Sequence, residues 1–320
     1  MRVLIVTNMY PIPEEPSFGT FIKSQVDSLK QAGIQLDVLL INGRKSQLNY
    51  LWGIFRFWRQ LWGGQYDVIH AHYIFSGMIA RLQWNRPVVL THHGIEVTEI
   101  GWVSTLVRLT HKWFSRVIVV SPAQIEFLQD SAVALIPCGV DLTEMQPIPV
   151  EEARHRLGLP LDKKLVLWAG EHWRPEKRFE LVEPSMILLK KQIPEAELVL
   201  LSGQPHSAVP IYMSACDVLL LSSLYEGSPM VIKEAMACNL PIVSTDVGDV
   251  AQVIDGTEGC YLCSSDPADM AEKLTQALVR GQRTKGRQKI HHFGSELTAK
   301  KIIGIYNQVC PPEKRFSLVT

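Results

Sequence analysis

The stretch LYEGSPMVIKEAMACNLPIV, Leu224 to Val243, decides how this chain is read. Two glutamates, Glu226 and Glu234, stand eight positions apart in it. Ser228-Pro229 is a helix-start signal: a hydroxyl able to cap, then a proline whose missing N–H costs nothing in a first turn. Val231, Ala235 and Cys238 recur at helical spacing, and Asn239 with Pro241 stops the helix before the apolar Ile242-Val243. Glu226 therefore falls on a loop before a helix, and Glu234 inside it. The run DVLLLS, Asp217 to Ser222, reads as the strand leading in. Strand, short loop and helix N-terminus together make the place where α/β proteins hold phosphates. By spacing alone, the two acids also fit the polar side of a solvated helix.

Outward from this stretch, short apolar runs alternate with amphipathic segments to both ends of the chain. Strands are expected at 3–6, 36–41, 67–70, 87–90, 116–120 and 133–136, then at 165–169, 198–201, 217–221, 241–244 and 259–262. Helical faces such as Ile22, Val26, Leu29 and Phe179, Val182, Met186, Leu189 lie between them. This rhythm predicts an α/β fold: two Rossmann-like domains with mostly parallel sheets, and ligands at the carboxyl ends of strands, facing across a cleft. Pro147 and Pro149 in MQPIPVEE mark the linker, giving domains 1–148 and 149–320, with a final helix at about 295–310 free to pack back on the first.

A hydrophobic share of 47% over 320 residues is ample for two cores and excludes a mostly disordered chain. Lys plus Arg equal Asp plus Glu at 32 each, so bulk charge points to no nucleic-acid partner. The six cysteines fall mostly in apolar surroundings; Cys260 and Cys263 form a C-x-x-C without a second pair, a poor zinc or redox signal. The opening MRVLIVTNMY reads as a first strand rather than a signal peptide, and no stretch is long enough to span a bilayer. A cytoplasmic protein is the expectation. In NYLWGIFRFWRQLWGG, residues Leu51, Ile54, Phe55, Trp58, Leu61 and Trp62 form one stripe, expected to face the core; Trp52 and Phe57 fall outside it, which keeps a membrane-surface helix as the alternative. The basic run RGQRTKGRQKIHH reads first as a solvated helix and loop.

The first loop lacks G-x-G-x-x-G, which argues against a dinucleotide dehydrogenase; it ends in Gly19-Thr20 before a helix. The loop AGEHWRPEKRF carries Arg174, Lys177 and Arg178, cations suited to a diphosphate that leaves with growing negative charge. In LTHHGIEV, His92 and His93 end a strand, and His70 and His72 end another; neither pair has metal-ligand spacing with a third donor, and DPAD at 266–269 looks like a helix cap.

Taken in order, FGTF, DVIHAH, THHGIEV, VIVVSPA, IPCGVD, RPEKRF and EGSPMVIKEAMACNLPIVSTDVGD resemble the family-4 retaining glycosyltransferases of the GT-B fold, whose E-x7-E motif is the last and most specific of these. The resemblance implies transfer of a sugar from a UDP- or GDP-linked donor, with retention at the anomeric carbon, no metal and no cofactor. It implies that Glu226 contacts the donor sugar near the reacting centre, with His93 beside that sugar. Glu234 would hold the ribose hydroxyls. Lys177 and Arg174 would meet the diphosphate, together with the backbone of Gly227, Ser228, Met230 and Val231, and Gly19 would close over it. The implied acceptor is a glycan, a lipid-linked glycan or a small molecule, in polysaccharide biosynthesis, with peripheral contact at the inner membrane face as a further expectation. Glu171, Cys138 and Glu96 depart from the family pattern, and only SGQPHSAVPIYMSACD separates two strands of a second domain that is therefore trimmed. A catalytically inactive GT-B binding subunit, a sugar-nucleotide epimerase and a phosphorylase remain the alternatives.

Overall fold

The structure, a computed structural model, describes residues 1–15, 18–43, 45–94, 96 and 101–317. It divides into two compact units, Met1–Gly139 with Ser295–Thr320, and Val140–Gly294.

In the first unit the chain runs β1 (Arg2–Thr7), α1 (Thr20–Gln31), β2 (Gln35–Leu40), α2 (Leu48–Gly63), β3 (Val68–His72), α3 (Ile74–Ala80), β4 (Val88–His92), α4 (Trp102–Thr110), β5 (Arg116–Val119), α5 (Pro122–Leu128) and β6 (Ala134–Leu135). Val3 to Val6 are wholly buried, the unbroken apolar run of a strand covered on both faces. The strands pair in parallel in the order β2-β1-β3-β4-β5-β6. Chain order thus reverses between β1 and β3, whose carboxyl ends lie side by side with Val6 opposite Ala71.

The second unit contains α6 (Val150–Leu157), β7 (Lys164–Ala169), α7 (Val182–Gln192), β8 (Ala196–Leu201), α8 (Val209–Ala215), β9 (Val218–Leu221), α9 (Met230–Ala237), β10 (Ile242–Thr245), α10 (Val250–Ile254), β11 (Cys260–Cys263), α11 (Pro267–Arg280) and α12 (Gly286–Lys289). Its parallel order is β11-β10-β9-β7-β8, so the reversal falls between β7 and β9, with Trp168 opposite Leu220. Each strand expected from the sequence is present within a residue or two, and Asp266 caps α11 by accepting from Ala268 N at 3.0 Å.

Three features differ from the sequence reading. The units part at Gly139/Val140, ahead of the proline linker, because the Val140 N–H bonds the Phe293 carbonyl and Met145 is buried in the second core. The final helix, α13 (Ser295–Val309), belongs to the first unit as the sequence reading allowed, with Ala299, Ile303 and Tyr306 in its core. The basic run is not simply solvated: Arg287 donates to the carbonyls of Leu142 and Ala237, at 2.6 and 2.9 Å, and Arg283 to Met213 O at 2.9 Å.

The third difference is the orientation of α2. Gly53, Phe57 and Leu61 face the core, while Leu51, Trp52, Phe55 and Trp62 are 61 to 81% exposed. Gly53 decides this, since a Cβ there would lie 2.9 Å from Ile41 Cγ2. The helix has two apolar faces, and the one with the glycine can approach the sheet closely. Desolvation pushes the half-buried Cys260 and buried Cys263 thiols up to about 12, so neither is a thiolate at neutral pH.

Candidate functional site

In the second unit, the loops after β7 and β9 emerge side by side because chain order reverses there, the position at which open α/β sheets bind ligands. Trp168 Nε1 donates to Ser222 Oγ at 3.2 Å, and Ser222 Oγ donates to Lys177 O at 2.7 Å, stitching the two loops together. The Leu224 N–H bonds Glu176 O at 2.8 Å. This brings Lys177 Nζ to 2.5 Å from Glu226 Oε1, which also accepts from Ser223 Oγ at 2.8 Å. Both charged side chains are mostly covered, at 15 and 18% exposure. Arg174 lies on the same loop but points to Glu176, its Nε 2.6 Å from Oε1. Burial opposes ionisation of Glu176, yet a backbone N–H and Arg174 outweigh it and hold its carboxyl below the usual range.

Gly227, Ser228, Met230 and Val231 form the turn into α9, whose first-turn N–H groups have no intrahelical acceptors. Here the structure corrects the cap: Pro229 occupies the N-cap position, and Ser228 Oγ instead donates to Asp249 Oδ2 at 2.7 Å. Lys233, wholly buried on α9, pairs with Asp249 Oδ2 at 2.9 Å and also contacts Ser228 Oγ. Severing such a buried pair from one side costs about 3–5 kcal/mol, so the network fixes the turn strongly. Gly248 adds to it: its φ is +62°, and a Cβ would come within 2.4 Å of Gly227 O. Glu234, buried one turn further on, accepts from His206 Nε2 at 3.0 Å.

Sequence reasoning missed Lys233, Asp249, Ser223, Gly248 and His206. A lysine inside an otherwise apolar helical run was the one visible signal, since a buried lysine requires a partner.

The remaining two candidates, Gly19 and His93, lie in the first unit. Gly19 is left-handed at φ +74°, and a Cβ would meet Met9 C and Tyr10 N at 2.7 Å, so the glycine is required by its own loop. Two residues on, Phe21 stands edge-on to His93 with ring centroids 4.9 Å apart. His93 Nε2 lies 2.8 Å from His72 Nδ1, and its Nδ1 lies 3.8 Å from Cys138 Sγ. His72 stacks on His70 at 4.4 Å, and His70 bridges Thr91 and Tyr306, each at 2.7 Å. Glu96 accepts from His92 Nδ1 at 2.6 Å and from Ile74 N at 3.1 Å, so it braces the strand end. Among the described residues no three His, Cys, Asp or Glu side chains are placed to hold a metal ion.

Burial, then the neighbouring imidazoles, holds His70 and His93 well below the usual histidine range, and burial alone lowers His72 to about 3. The native state keeps these rings neutral, whereas the unfolded chain takes up protons from about pH 6.5 downward. Stability is thus complete above that pH and falls as pH drops toward the folded values, by about 1.4 kcal/mol per unit for each ring. Thermal melts at about pH 7.5 and 5 are expected to show a lower midpoint in acid, with the drop smaller in His72→Asn.

Comparison with known proteins agrees with this architecture. Residues 1–144 match the model of Glycosyltransferase Family 4, and residues 185–280 match that of Glycosyl transferases group 1. A putative teichuronic acid biosynthesis glycosyltransferase, TuaC of Bacillus subtilis strain 168, is 26% identical over 353 residues, covering 86% of this chain and 89% of TuaC. A D-inositol 3-phosphate glycosyltransferase of Thermobispora bispora is 24% identical, covering 81% of this chain and 74% of its own. Among solved structures, sucrose-phosphate synthase from Thermosynechococcus elongatus superposes with a TM-score of 0.76 at 20% identity, covering 96 and 98% of the two chains. Anabaena HepE in complex with UDP gives 0.69 at 17% identity, covering 96 and 100%. With both sheets parallel, the ordered motifs in place and a family model on each half, the chain belongs to the family-4 glycosyltransferases of the GT-B fold.

Proposed function

We propose that this glycosyltransferase takes a sugar from a UDP- or GDP-linked donor, retains the anomeric configuration and requires no metal ion. The observation that carries the reading is the convergence of Lys177 and Glu226 at the switch point of the second sheet, beside the turn into α9. HepE, solved with UDP and with UDP-glucose, supports a donor of this class. In this reading Lys177 neutralises the β-phosphate as the sugar–phosphate bond breaks, joined by Arg174 and by backbone N–H groups of Gly227, Ser228, Met230 and Val231. Glu226 accepts hydroxyls of the donor sugar while sharing Lys177. Glu234 accepts the ribose hydroxyls. His93 orients the sugar, and Gly19 lets its loop close over the diphosphate. The acceptor oxygen attacks the anomeric carbon on the face from which the phosphate departs, and the proton passes to the leaving phosphate oxygen. A panel of UDP- and GDP-sugars, with and without chelator, tests this by nucleotide release and by the anomeric signal of the product. Release with an inverted product, release lost on chelation, or isomerised donor without transfer would each contradict it.

The acceptor is a glycan or a lipid-linked glycan, and the exposed face of α2 favours work at an anionic membrane surface. Leu48, Leu51, Trp52, Phe55 and Trp62 share that face with Arg56 and Arg59. Trp102 and Leu109 on α4 extend it, linked to α2 through the Tyr50–Phe75–Trp102 ring contacts. Neither helix carries an acidic residue, and their charged residues are Arg56, Arg59 and Arg108. Flotation with phosphatidylglycerol vesicles is expected to carry the protein, with phosphatidylcholine vesicles less, and Trp52→Ser/Phe55→Ser to abolish it. Absence of flotation, or self-association through this face in light scattering, would overturn the membrane assignment.

A further inference from the structure

His206 reaches Glu234 from the short connection between β8 and β9, in which the sequence marked no site residue. Its Nε2–H donates to Glu234 Oε1 at 3.0 Å, and its Nδ1 lies 3.5 Å from Glu144 Oε1. The imidazole is therefore bracketed by two carboxylates, Glu234 from α9 and Glu144 from the segment ahead of α6, with Asp141 adding its field. Holding Oε1 leaves Oε2 of Glu234 for another donor.

We propose that His206 is a positioning residue for the donor: bridging the two glutamates, it fixes the Glu234 carboxylate so that Oε2 accepts the ribose hydroxyls. This rests on the reading of Glu234 as the ribose clamp. The hydrogen bond to Glu234, against the opposing effect of burial, raises the His206 pKa above its ordinary 6.5. The ionic bridge is fully formed below about pH 6.5 and is lost as pH rises through the folded value, so nucleotide affinity should decline on the alkaline side. A glutamine at this position keeps an N–H donor but does not titrate.

Calorimetric titration with UDP and GDP from about pH 6 to 9 tests the proposal. His206→Ala is expected to weaken the nucleotide that binds about tenfold, the worth of one charge-assisted hydrogen bond, with kcat at saturating donor little changed. His206→Gln should bind near the wild-type level with the alkaline decline removed, and a 2′-deoxy nucleotide should erase most of the alanine variant's penalty. Unchanged affinity in His206→Ala, or an undiminished alkaline decline in His206→Gln, overturns the assignment. Glu234→Ala, run alongside, separates the failures. If it weakens binding and His206→Ala does not, only the role of His206 falls; if it too leaves affinity intact, the ribose reading falls with it.

Discussion

Glu226→Ala and Lys177→Ala are each expected to cut transfer by a factor on the order of 10²–10³ while leaving the protein folded. The size follows from where the charge appears. In the proposed reaction the leaving nucleoside diphosphate gains negative charge as its bond to the sugar breaks, and Lys177 is held in place at the β7–β9 switch point. A lysine already fixed there stabilises the transition state without reorganising, so its loss falls on kcat. Glu226 holds Lys177 between the two loops, and in the proposed reading it also offers acceptors for sugar hydroxyls. The pair is mostly covered, at 15 and 18% exposure, so the folding of each variant is checked alongside its rate. Wild-type rates in both variants, measured by nucleotide release with circular dichroism as the folding control, would remove these residues from the mechanism.

The second large effect is expected at Glu234, and it should differ in kind. With Glu234 as the proposed ribose clamp, two hydroxyls on one carboxylate are two charge-assisted hydrogen bonds, so Glu234→Ala should lower nucleotide affinity about 100-fold. The ribose does not react, and its binding is shared by ground state and transition state. The variant should thus raise KM for the donor more than it lowers kcat. A fall in kcat at unchanged KM would place Glu234 nearer the reacting atoms than this account does.

The parallel sheets were legible because a doubly covered strand has an unbroken apolar run, as Val3 to Val6 and Val218 to Leu221 show. The turn from β9 into α9 was legible through Pro229 and the spacing of Glu226 and Glu234. Ser228 was not, because its hydroxyl serves Asp249, twenty-one residues away, rather than the helix end. Local propensity cannot foresee a partner brought in by the next strand and loop. His206 stayed hidden for the same reason: its meaning lies in Glu234 and Glu144, on two other elements. In α2 the difficulty was periodicity itself, since both faces are apolar and only Gly53 distinguishes the one that packs. The boundary between the units was obscured because prolines mark an irregular segment, but the core contacts of Val140 and Met145 decide to which unit it belongs.

The central claim is that the cluster around Lys177, Glu226 and Glu234 holds a nucleoside diphosphate. Calorimetric titration of the wild-type chain and of Lys177→Ala/Glu234→Ala with UDP and GDP tests it most directly. Binding of at least one nucleotide by the wild type, and its loss in the double variant, is the predicted result; no binding of either nucleotide, or equal affinity in both proteins, would contradict the account.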